Sequence, residues 1–106
     1  MRQAFLAVAV VLTAAAALPA QAAPRTVTIT LDRLKFGTVP ADLHQGDTIV
    51  WVNRDIFRHT ATARDRSFDV DLPPGKSGKT VLKRAGTISF YCKYHPGMTG
   101  TLGVAR

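Results

Sequence analysis

Glutamate is absent from the 106 residues, cysteine and tryptophan occur once each, and histidine occurs three times. A single thiol, Cys92, excludes an internal disulfide, so the chain does not use the cross-links that staple many small exported domains. No stretch carries the three-to-four-residue apolar spacing of an amphipathic helix of useful length, which argues against a helical bundle. No second domain, internal repeat, linker or low-complexity tract is visible. With Asp as its only acidic residue, the chain has 7 acids against 14 Lys and Arg, a formal charge of +7.

What is present begins with a distinctive start. Met1-Arg2-Gln3 leads into Ala4 to Leu18, where Thr13 is the only polar residue, followed by Pro19-Ala20-Gln21-Ala22-Ala23. A cationic start, an apolar stretch shorter than the roughly 18 or more residues of a spanning helix, and a small-x-small site describe a secretory signal. Ala20 and Ala22 satisfy the small-residue rule, so residues 1–22 are expected to be the signal and 23–106 a single domain. Removing 22 of 106 residues leaves 84, a small domain whose modest core would gain from a bound metal. Its 13 Lys and Arg against 7 Asp leave +6, because Arg2 departs with the signal. For an exported, periplasmic monomer with no transmembrane segment in its mature chain, this charge favours an acidic protein, an anionic small molecule or a membrane surface over nucleic acid.

The rest of the chain is patterned for strands. Thr26-Val27-Thr28-Ile29-Thr30-Leu31 alternates and is β-branched at five of six positions. A short extended piece spans Leu34 to Phe36. Gln45-Gly46-Asp47 turns into Thr48-Ile49-Val50-Trp51-Val52-Asn53, whose apolar residues on both faces predict a central strand covered on both sides. Further strands are predicted at His59 to Ala63, Ser67 to Leu72, Lys79 to Leu82, Thr87 to Tyr91 and Thr99 to Val104. Short strands punctuated by Gly and Pro predict an all-β, two-sheet antiparallel sandwich, with a small barrel as the runner-up.

The informative segment is Cys92-Lys93-Tyr94-His95-Pro96-Gly97-Met98, where a thiol, an imidazole and a thioether recur every third residue at the end of a predicted strand. Pro96 disfavours helical geometry at His95, so the three belong to a loop that folds around one point. One more imidazole completes a His-His-Cys set with a weak axial Met, the donor set of blue copper sites. His59, beyond the Asp55 to Arg58 loop, is the candidate. His44, ahead of a turn, is the competitor and is expected to be exposed and uninvolved. Structural zinc usually draws on several Cys or His and rarely on Met.

The segments Gly46 to Asn53, His59, Gly86 to Cys92 and His95-Pro96-Gly97-Met98 resemble the plastocyanin and amicyanin group of cupredoxins over essentially all of residues 23–106. Two residues between Cys and His and two between His and Met give the short loop of amicyanins; plastocyanins and pseudoazurins place more residues before the Met. The resemblance implies an eight-stranded Greek-key β-sandwich with one type 1 copper at one end, His59, Cys92 and His95 in the trigonal plane, and Met98 axial. It also implies that the Thr60 N–H donates to the Cys92 sulfur. This chain has Thr60 where amicyanins have Asn, and Arg58 where they have Pro, placing a cation beside the site.

Four protein donors leave no obvious open position for a substrate, and three histidines cannot build a multicopper oxidase centre. The expected role is therefore a one-electron carrier rather than an enzyme; the resemblance implies that the exposed edge of His95 is the electron port, which Lys93 and Tyr94 would border. Lys93 and Arg58, with Arg54, Arg64 and Arg66 farther out, are expected to form a basic rim that steers an acidic redox partner. The alternative within the same donor set is a periplasmic copper carrier or buffer. A structural adhesion module with coincidental Cys, His and Met would bind no copper.

Overall fold

The computed structural model describes residues 2–14 and 23–106. The expected signal falls partly outside them, including the cleavage site at Ala22. Residues 2–14 carry no regular secondary structure and are exposed, and among the described residues no helix is long and apolar enough to cross a membrane.

Nine strands follow: β1 (Thr26–Asp32), β2 (Lys35–Phe36), β3 (Leu43–His44), β4 (Thr48–Asn53), β5 (His59–Ala63), β6 (Asp69–Leu72), β7 (Ser77–Val81), β8 (Gly86–Tyr91) and β9 (Thr99–Ala105). They form a four-stranded sheet in the order β2-β1-β4-β7 and a five-stranded sheet in the order β3-β9-β8-β5-β6. This is the all-β two-sheet sandwich expected, and the predicted limits of β4 and β5 match the strands. The added strand β3 is only two residues long, too short to show a period in the sequence.

Two expectations change. The sheets are not wholly antiparallel, because β1 pairs with β4 and β3 with β9 in parallel. Between β1 and β4 the chain crosses to the other sheet, where β3 lies, and it returns running in the same direction. Nor is β4 covered on both sides. Ile49, Trp51 and Asn53 are buried, whereas Thr48, Val50 and Val52 are half-buried on an outer face that no further layer covers.

The core lies between the sheets. Trp51 is fully buried, with ring centroids 5.2 Å from Phe90, 5.8 Å from Phe68 and 5.9 Å from Phe36. Its indole N–H donates to Thr80 Oγ1 at 3.0 Å, which satisfies the one polar atom such a ring buries. Around it, Ile29, Leu31 and Ile49 of one sheet face Ala61, Leu72 and Leu102 of the other.

Charge locks one end of the sandwich. Arg25 donates twice to the Asp42 carboxylate, while Asp47, buried near the start of β4, accepts from the N–H groups of Arg25 and His44. Ser67 first and Arg84 second hold the Asp65 carboxyl down to about 2, while the Arg25 side chain holds Asp42, and the Arg25 and His44 N–H groups hold Asp47, below the ordinary value. A carboxyl whose folded pKa is depressed stabilises the fold above its unfolded value and loses that contribution as pH falls through the folded one. The melting temperature is therefore expected to hold down to about pH 4 and to fall between pH 4 and 2. Circular-dichroism melts across that window check this, and Asp65→Asn is expected to flatten part of the decline.

Candidate metal centre

Three strand ends meet at one pole of the sandwich. His59 opens β5, Cys92 follows β8, and Met98 immediately precedes β9. The loop between Cys92 and Met98 is closed by backbone bonds from Cys92 N–H to Met98 O (3.0 Å) and from Met98 N–H to His95 O (2.8 Å). That tight closure brings the two ends of the segment together, as the spacing predicts.

The side chains converge. Cys92 Sγ lies 3.6 Å from His59 Nδ1 and 3.7 Å from His95 Nδ1, and donor atoms of the three residues all fall within 4.8 Å of one another. A metal with bonds of about 2.0–2.3 Å to nitrogen and sulfur separates such donors by roughly 3.6–3.8 Å, so the spacing suits a shared ion. His59 and Cys92 are fully buried and Met98 is 4% exposed, while His95 keeps an accessible edge. His44 is elsewhere: it pairs with Ala105 at the end of β9 remote from Met98, and its ring faces the Asp42 carbonyl.

The groups that orient these side chains include two that the sequence reading passed over. Asp55 Oδ2 accepts from His59 Nε2 at 2.9 Å and from the Leu34 N–H at 2.9 Å, while Oδ1 accepts from the Ile56 N–H. The His59 bond, then that of Leu34, holds the Asp55 carboxyl down to about 2. With Nε2 committed as a donor, the Nδ1 lone pair of His59 is the one turned toward Cys92. Asn53 shapes the same loop: its Nδ2 donates to the carbonyls of Phe57 and Leu72, and its Oδ1 accepts from the Asp55 N–H. The Asn53-Arg54-Asp55 run, with a carboxylate four residues before a candidate ligand, was the available signal.

Loss of this carboxylate in Asp55→Ala is expected to weaken copper affinity about 10–100-fold, measured by chelator competition, with Asp55→Asn recovering most of it. Equal affinities in all three proteins would remove the orienting role.

Thr60 links the two loops. Its N–H donates to Cys92 Sγ at 3.4 Å, the bond that the family resemblance implies. Its hydroxyl accepts from the Lys93 N–H at 3.0 Å, so a threonine supplies a side-chain tie where amicyanins carry Asn. The chain of bonds continues from Thr60 to Thr62 (2.8 Å) and from Thr62 to Asp69 (2.8 Å). Because the carboxylate can only accept, each hydroxyl donates onward and the direction is set.

The basic rim differs from the expected one. Arg58 donates to both Asp71 oxygens at 3.0 and 2.6 Å, and Lys93 donates to Asp69 at 2.5 Å. Arg58 also lies 5.6 Å from the Tyr94 ring centre. The cation beside the site is thus paired rather than bare. Arg64 is stacked on Tyr91 at 4.6 Å and Arg66 occupies the turn after β5, both at the end of that strand remote from His59. Phe57, edge-on to His95 at 6.0 Å, and the half-exposed Tyr94 flank the accessible imidazole.

Known proteins are similar to this chain in sequence and fold. A family model described as a cupredoxin-like domain matches residues 3–104. Amicyanin of Paracoccus denitrificans is 25% identical, with 80% of this chain and 70% of that protein covered. Amicyanin of Paracoccus versutus is 26% identical over 82% of this chain and 67% of its own length. Among solved structures, a purple cupredoxin from Nitrosopumilus maritimus superimposes with a TM-score of 0.62 at 20% identity, covering 74% of this chain and 98% of its own.

Proposed function

The chain belongs to the cupredoxin-like family, and from that premise we propose that it is an exported one-electron carrier holding a single type 1 copper through His59, Cys92, His95 and Met98. The observation that carries this reading is the trio of donor atoms within 4.8 Å, with the His59 ring already aimed by Asp55.

Copper, when bound, supplies a one-electron couple between Cu(I) and Cu(II). The protein's own residues do the rest. The buried Cys92 sulfur accepts a hydrogen bond from the Thr60 N–H, which fixes its position between the two imidazoles. Asp55 and the closed Cys92 to Met98 loop hold the donors in place, so little rearrangement accompanies a change of charge. His95 offers the accessible edge for electron exchange, and Phe57 and Tyr94 surround it with apolar surface. Residues 1–22 would direct export to the periplasm. Acidic redox proteins are the partners that the surplus of Lys and Arg favours.

The same donors would serve a copper-delivery protein, but full burial of His59 and Cys92 suits retention better than hand-over. The test is to add Cu(II) and then cycle the protein between its two redox states with a competing chelator present. An intense blue thiolate-to-copper colour that returns undiminished after each cycle is expected. A colourless protein would sink the copper site, and progressive loss to the chelator would favour delivery.

A further inference from the structure

At the metal-binding pole the cations divide into two groups. On the five-stranded sheet's side, Arg58 and Lys93 are engaged by Asp71 and Asp69. On the four-stranded sheet's side, Arg33, Lys35, Arg54 and Lys76 are all exposed, and none has a carboxylate within ion-pair distance among the described residues.

Strand register places these four along one sheet end. Lys35 is opposite Asp32 across β1 and β2. Arg54 donates its N–H to Leu31 O, and Asn53 donates its own to Lys76 O. Asp32 is the one exposed carboxylate in the row, and its Oδ1 accepts the Arg33 N–H, while Asp55 is turned inward to His59. Four cations therefore face solvent against one carboxylate. With strands about 4.8 Å apart, a row from β2 to β7 extends roughly 14 Å, wider than one small anion can bridge.

The turn that presents this row is strained. Arg33 and Leu34 have φ of 52° and 60°, a left-handed pair that is unfavourable for non-glycine residues and that Asn-Gly would adopt more easily. The bond from Leu34 N–H to Asp55 Oδ2 fastens it to the carboxylate that orients His59. Leu34, Ile56 and Phe57 add exposed apolar surface on the same loops, and Phe57 lies edge-on to His95 at 6.0 Å.

We propose that Arg33, Lys35, Arg54 and Lys76 form the docking surface for an acidic protein partner, seated on the four-stranded sheet's side of the metal pole rather than around Arg58 and Lys93. The proposal rests on the electron-carrier reading. A protein is favoured over a lipid surface because the row lies at the same pole of the sandwich as the half-exposed His95 imidazole through which electrons would leave.

The test uses hexacyanochromate(III), a paramagnetic trianion, added to the isotope-labelled Cu(I) protein. Broadening of the amide signals of Arg33, Lys35, Arg54 and Lys76, reversed by added salt, is expected; broadening centred on Arg58 and Lys93 would overturn the assignment. In parallel, oxidation of the Cu(I) protein by hexacyanoferrate(III) at low ionic strength is expected to slow about fivefold in Arg54→Gln/Lys76→Gln. It should change less than about twofold in Arg58→Gln/Asp71→Asn, which removes the neutral pair as a unit. The reverse ranking would overturn the proposal, as would stronger retention on phosphatidylglycerol vesicles than on an acidic protein resin. Failure of hexacyanoferrate(III) to oxidise the protein at all would instead remove the electron-carrier reading beneath it.

Discussion

Cys92→Ser is expected to abolish the intense visible absorption of the copper-loaded protein while leaving the fold intact. The sulfur is buried and 3.6 and 3.7 Å from the two imidazole nitrogens. A serine hydroxyl is nearly isosteric but stays protonated at neutral pH and is a hard donor, so it supplies neither the charge nor the softness that selects copper. The metal-free variant should melt within a few degrees of the metal-free parent, because one small buried atom is exchanged for another and the Thr60 N–H keeps an acceptor. Visible spectra and circular-dichroism melts on both proteins separate the two statements. A variant that remained blue would show that Cys92 is not a ligand.

Gly100→Ala should have the largest effect on stability. Gly100 is directly opposite Phe90 in the pairing of β8 with β9, and a Cβ there would lie 2.3, 2.8 and 2.9 Å from three ring carbons of Phe90. That ring is fully buried, with Phe36 at 4.7 Å and Trp51 at 5.2 Å, so it has nowhere to move. Overpacking of this kind costs about 3 kcal/mol, which for a domain of this size lowers the melting temperature by roughly 12–24 °C. Gly103, on the same strand, has no atom within 4 Å of its would-be Cβ, and Gly103→Ala is expected to be nearly neutral. Similar melting temperatures for the two variants would refute the packing argument. Gly100 is two residues past Met98 and Phe90 two before Cys92, so displacement of the ring should also shift the copper spectrum.

Both expectations depend on which residues face one another, and this separates what the chain announces locally from what it does not. The limits of β4 and β5 match those predicted because β-branched residues run through both and the turn at Gln45-Gly46-Asp47 and the charged Arg64-Asp65-Arg66 mark their outer ends within a few positions. The loop from Cys92 to Met98 was legible for the same reason: three donors, a proline and a glycine occupy seven consecutive residues. His59 required more, since 33 residues separate it from Cys92, and only the place of β5 beside β8 brings them together.

The basic rim shows the limit most clearly. Arg58 and Lys93 were visible as charges flanking the ligands, but their partners are 13 and 24 residues away on β6, and pairing changes what those charges offer to a partner. Asp55 is near His59 in sequence, yet its role depends on Leu34 approaching from 21 residues earlier to share the same oxygen. A strand's neighbours and register are not written in its own period, and a one-residue slip would turn every side chain to the other face. The sequence by itself thus determined the strand-rich fold class, the short ligand loop and the surplus of positive charge, all properties of composition and local spacing. The tertiary structure alone decided the approach of His59, its orientation by Asp55, the Thr60 tie and the cations left unpaired, because each depends on contacts between segments that only strand pairing brings together.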